Sequence, residues 1–76
     1  MRIAHFRPVI ERDDGSVVGI EVKAAASVGT GDFKGLRQLA AACGPALRIG
    51  LVLYDGNAAV RFGERLWAVP VACVLG

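Results

Sequence analysis

The sequence predicts a small α/β domain, a mixed β-sheet with one helix on one face, with elements in the order β-β-α-β-β-β. Three observations predict it. First, Asp13-Asp14-Gly15 separates two strand-like runs, and Asp-Gly supplies the positive φ that a tight hairpin turn needs. Second, apolar residues fall at Phe33, Leu36, Leu39, Ala40 and Cys43, the 3, 4 spacing of one face of an amphipathic helix. Third, Arg48 to Tyr54 (RIGLVLY) is a nearly unbroken apolar run, the pattern of a strand buried on both faces.

Taken in order, Phe6 to Arg12 is the first strand and Ser16 to Lys23 its return. A three-residue loop pairs Arg12 with Ser16 and Arg7 with Glu21. Gly19 leaves room for a close neighbour. Ala24 to Gly31 is a small-residue connection, after which Thr30 or Asp32 can cap a helix running to Cys43. Lys34, Arg37 and Gln38 lie on or beside its polar face, and Gly44-Pro45 stops it. The order strand, helix, strand implies a right-handed crossover. It makes Ile49–Tyr54 central and parallel to Val17–Lys23. Short strands follow at Ala58–Phe62 and Leu66–Val69, around Gly63-Glu64 and ending at Pro70.

A chain of 76 residues makes one domain, spanning 1–76, and buries only about 60% of the surface its unfolded form exposes. Yet 54% of its residues are hydrophobic and 21% charged. One helix covers one sheet face, so an exposed apolar surface is expected on the other. That surface predicts a homo-oligomer, with the apolar segment Leu66–Leu75 as the contact. The net charge of +2 comes from nine basic residues scattered among seven acidic ones, too little to argue for nucleic acid by itself. Trp67 and Phe62 fit a core or interface position better than a base-stacking platform. Cys43 and Cys73 sit in apolar surroundings and read as reduced core thiols; no CxxC or Cys/His cluster suggests a metal. His5 reads as a surface residue. No run is long and apolar enough to span a membrane, and no signal-peptide core opens the chain. The expectation is a soluble, cytoplasmic protein with no membrane partner. Without a GxxxxGK[ST] motif, ATP is not expected as a ligand by that route.

One short constellation carries chemistry: Ile20-Glu21-Val22-Lys23. Side chains alternate along a strand, so Glu21 and Lys23 share a face and Val22 points the other way. A carboxylate can hold Mg²⁺, and a neighbouring amine can orient the attacking water and stabilise charge on phosphorus. Such a site needs a further carboxylate from a neighbouring strand. From the spacing alone, a Glu-x-Lys pair reads first as an ordinary surface ion pair.

The segments VIERDDGSVVGIEVKAAASV, DFKGLRQLA, IGLVLYDG and VRFGERLWAVPV, in that order, resemble the C-terminal domain of unknown function of bacterial AAA-type ATPases. That domain is similar to the PD-(D/E)XK restriction-endonuclease-like superfamily. The resemblance covers roughly Phe6 to Val74. It implies a restriction-endonuclease-like core, with Glu21 and Lys23 as the second acid and the lysine of a Mg²⁺-dependent nuclease site. The first acid of that pattern falls at Arg7, followed by Pro8. A guanidinium there would pair with Glu21 and repel the ion, which makes the site vestigial. In the helix, Lys34 or Gln38 matches an extra polar residue of some superfamily members. Lys34 and Arg37 are the candidate nucleic-acid contacts.

The expected function is therefore a non-catalytic interaction or scaffold domain, truncated relative to its ATPase family, without a metal or other cofactor. The alternatives are a nucleic-acid-binding module and a metal-dependent nuclease completed by a partner, which alone would use Mg²⁺.

Overall fold

The computed structural model describes the backbone of residues 9–75 and the side chains of residues 12–74. His5, Arg7 and the start of the first predicted strand lie outside the described residues. Five strands form one sheet: β1 (Val9–Glu11), β2 (Val17–Lys23), β3 (Leu47–Tyr54), β4 (Val60–Gly63) and β5 (Leu66–Pro70). Helix α1 (Lys34–Cys43) follows a 3-10 turn at Thr30–Phe33. A short α2 (Val71–Leu75) follows β5. The spatial order is β1-β2-β3-β5-β4. β2, β3 and β5 run parallel, and the antiparallel β1 and β4 flank them.

The hairpin forms as its sequence predicts. Gly15 takes φ +84 in the turn. Its N–H donates to Arg12 O at 2.9 Å, and the Arg12 N–H donates to Ser16 O at 2.9 Å. The Asp14 carboxylate accepts from both the Ser16 N–H (2.9 Å) and its hydroxyl (2.6 Å). The pairs Glu11↔Val17 and Val9↔Gly19 have the register that a three-residue loop dictates.

The core lies between α1 and one face of the sheet. Phe33 and Leu36 reach down from the helical segment onto Val52, Tyr54 and Ala68, and Phe62 stacks on Phe33 with ring centroids 4.7 Å apart. The helix comes close because the sheet has a glycine beneath it. A Cβ placed on Gly19 would meet Leu39 Cδ2 at 2.7 Å and Leu36 Cδ2 at 2.9 Å.

The sheet's second face is different. Alternation puts Val18, Ile20 and Val22 of β2 on it. Ile49, Leu51 and Leu53 of β3 join them by register, with Trp67 and Val69 of β5. All eight are half-buried, and no described element packs across them.

Four expectations need correction. Among the described residues the run Arg48–Tyr54 is fully buried on one face only: Gly50, Val52 and Tyr54 are buried, while Ile49, Leu51 and Leu53 are half-buried with no described element across them. The element order β-β-α-β-β-β lacks a second helix: the chain turns helical at Val71, directly after Pro70. The fourth strand is Val60–Gly63 rather than Ala58–Phe62, since the Tyr54 hydroxyl binds Ala58 O and holds that residue in the preceding loop. The cysteines are not both core thiols. Cys43 is half-buried at the end of α1, and Cys73 is exposed because helical rather than strand geometry carries it outward.

Gly19→Ala should lower stability by about 1–3 kcal/mol, the usual range for forcing a methyl into a packed core. The midpoint of urea unfolding measures it. An unchanged midpoint would mean that Leu36 and Leu39 are not held against the sheet.

Candidate functional site

Glu21 and Lys23 lie on the helix-bearing face of β2, on the side of Gly19, and Val22 lies on the second face. Their predicted co-orientation therefore holds. Their surroundings differ. Glu21 is buried, with 8% of its surface exposed, opposite Val52 of β3. Lys23 sits at the end of the strand, where the chain leaves the sheet.

The Lys23 ammonium is engaged. Its Nζ donates to Asp32 Oδ2 at 2.7 Å. The same oxygen accepts the Gly29 N–H at 2.8 Å, and the Asp32 N–H returns to Gly29 O at 3.1 Å. These bonds tie the end of β2 to the first turn of the helical segment and fix the connection between them. Ala25 holds the other side: its N–H donates to Lys23 O at 3.0 Å, and its carbonyl accepts the Asp55 N–H at 2.9 Å. The connection is thus fastened to the carboxyl ends of both β2 and β3. The Asp32 carboxyl is held below its ordinary pKa, first by the Gly29 N–H and then by the Lys23 ammonium.

Asp32 is the residue that sequence reasoning undervalued. It was visible as an acid at a helix start, but only as a cap. The further signal is topological: a crossover must bring its helix back beside the strand it left, so an acid in the first turn meets a lysine at the strand end.

A Mg²⁺ ion needs several anionic oxygens converging on it. Among the described residues no three of His, Cys, Asp and Glu gather closely enough to hold one, and Asp32 spends one oxygen on both Gly29 and Lys23. These groups do not fit a resident ion. Arg7, where the resemblance would put a first acid, lies outside the described residues.

Lys34 and Arg37 stand elsewhere, on the exposed side of the helical segment. With Thr30, Gly31, Gln38 and Ala41 they line a shallow groove whose lining includes neither Glu21 nor Lys23. Arg37 is committed locally, donating to Thr30 O at 2.8 Å and lying 6.0 Å from the centre of the Phe33 ring.

Two tests follow from the Lys23–Asp32 tie. The pair is about a third exposed (34% and 29%), so its own contribution should be about 0.5–1 kcal/mol. Asp32→Ala, which also removes the acceptor for the Gly29 N–H, should cost about 1–2 kcal/mol. Lys23→Met should cost clearly less in the Asp32→Ala background than alone. Equal costs in both backgrounds would mean no coupling. The pH dependence carries a sign. A carboxyl with a depressed folded pKa contributes its stability fully above the unfolded value of about 3.9. It loses that contribution as pH falls through the lower folded value. Acid unfolding below about pH 4 should therefore be shallower in Asp32→Ala than in the natural chain.

No curated protein and no solved structure matches the chain. A family model described as a domain of unknown function (DUF4143) matches residues 9–74, nearly the full length, and the chain belongs to that family.

Proposed function

We propose that this domain is a non-catalytic interaction module, a nuclease-like core whose former site residues now hold the fold together. The observation that carries the proposal is the 2.7 Å bond from Lys23 to Asp32. A nuclease lysine must present its ammonium to a water or a phosphate oxygen. Here it closes the crossover connection instead, in a pair whose carboxylate also fixes Gly29. The resemblance to the PD-(D/E)XK core and to the terminal domain of AAA-type ATPases supports the nuclease-like ancestry. Arg7 at the first-acid position supports the loss of chemistry. The second, half-exposed sheet face supplies the interaction surface.

The test is a plasmid-nicking assay with Mg²⁺ or Mn²⁺. The expected result is no nicking above background for the natural chain, and none for Glu21→Ala. Nicking by the natural chain that disappears in Glu21→Ala would overturn the proposal.

Nucleic-acid binding without cleavage is a second reading, favoured by one observation: Lys34, Arg37 and Gln38 share one groove. Two cations release few counterions. Binding through them would give a slope of log K against log salt of roughly −2 for duplex DNA, and Lys34→Ala would halve it. A slope of zero, or one indifferent to Lys34, excludes this reading.

A further inference from the structure

We propose that Asp55-Gly56 is a site of spontaneous covalent modification, where the chain isomerises to isoaspartate and the loop after β3 loosens. Tyr54 is the last residue of β3, and residues 55–59 form an irregular loop before β4. Asp55 is exposed, and among the described residues no hydrogen bond holds its carboxylate or the Gly56 N–H. Glycine is required at the second position. A Cβ there would overlap the Tyr54 ring, which is held in place by the bond from its hydroxyl to Ala58 O. The fold thus fixes a glycine directly after an exposed acid. With no side chain to shield it, a glycine nitrogen is the backbone nitrogen best able to reach the preceding carboxyl group.

The reaction needs water and no other co-reactant. The Gly56 nitrogen loses its proton and attacks Asp55 Cγ. A C–N bond forms, the carboxyl hydroxyl leaves as water, and a succinimide ring closes. Water then adds to one of the two ring carbonyls. Attack at Cγ restores aspartate. Attack at the backbone carbonyl carbon opens the ring to isoaspartate, in which the main chain runs through the side-chain carbonyl and the α-carboxylate is free. Mass is unchanged, but the main chain gains a methylene inside the loop that the Tyr54 hydroxyl closes onto Ala58 O. The chain's other Asp-Gly, Asp14-Gly15, is a comparison built into the same molecule. There the carboxylate accepts from the Ser16 N–H and hydroxyl, and the Gly15 N–H donates to Arg12 O. Both reacting groups are held. The Ser16 hydroxyl and N–H also keep the Asp14 carboxyl below its ordinary pKa, in the ionised form that is a poor target for attack.

The test ages the full chain at neutral pH and body temperature, folded and in urea, and then cuts it with trypsin. Cleavage places Asp14 in residues 13–23 and Asp55 in residues 49–61. Labelling with an isoaspartate methyltransferase and S-adenosylmethionine measures isoaspartate in each peptide, and electron-transfer fragmentation of unlabelled peptide assigns it to a residue. In the folded chain, isoaspartate should form at Asp55 at least about tenfold faster than at Asp14, where three hydrogen bonds must break first. Urea removes those bonds and should bring the two rates within about twofold of each other. Asp55→Glu should abolish the signal at position 55, because closure would then require a larger and slower-forming ring. The isoaspartate form, separated by ion exchange, should unfold at a lower urea concentration than the fresh chain. A folded-state ratio below about tenfold overturns the inference, since the hydrogen bonds at Asp14 would then protect nothing. A ratio that persists in urea overturns it too, because sequence alone would then set the rates. So does signal in residues 49–61 that is carried by Asn57 and survives Asp55→Glu. An equal unfolding midpoint overturns the loosening of the loop.

Discussion

Everything in this domain depends on how closely one helix can approach one sheet. Leu36 and Leu39 come down where β2 has only a hydrogen, at Gly19, and Leu36 also touches the space above Gly50 of β3. That approach lets Phe33 and Leu36 become fully buried although the helical segment is short. It also decides what the rest of the molecule can be. With the helix seated on one side, every second residue of β2, β3 and β5 is committed to the core. The residues between them have no described layer above them.

The connection between β2 and α1 obeys the same constraint. A helix seated this close must return directly from the strand end, and the chain from Ala24 to Gly29 has mostly small side chains, of which Val28 packs against the core. Polar bonds do the fastening: Lys23 to Asp32, Asp32 to Gly29, and Ala25 to Lys23 and Asp55. Each is modest, since exposed ion pairs and ordinary hydrogen bonds contribute about 1 kcal/mol or less. Together they fix the register in which the helix lands. Lys23 is drawn into that fastening because Asp32 occupies the first turn of the helical segment.

Much of the architecture was legible because it depends on local chemistry. Asp13-Asp14-Gly15 specifies its turn wherever the chain goes next. The spacing of Phe33, Leu36 and Leu39 specifies a helix face, and RIGLVLY specifies a central strand, which β3 is. Other features depend on neighbours distant in sequence. That β5 inserts between β3 and β4 follows from pairing, and no composition of Leu66–Pro70 reveals it. The helical turn at Val71 hides in a sequence, VACVL, that suits a strand equally well. In the site, the shared face of Glu21 and Lys23 was readable from period two. The identity of Lys23's partner was not, because nine residues and a crossover separate it from Asp32.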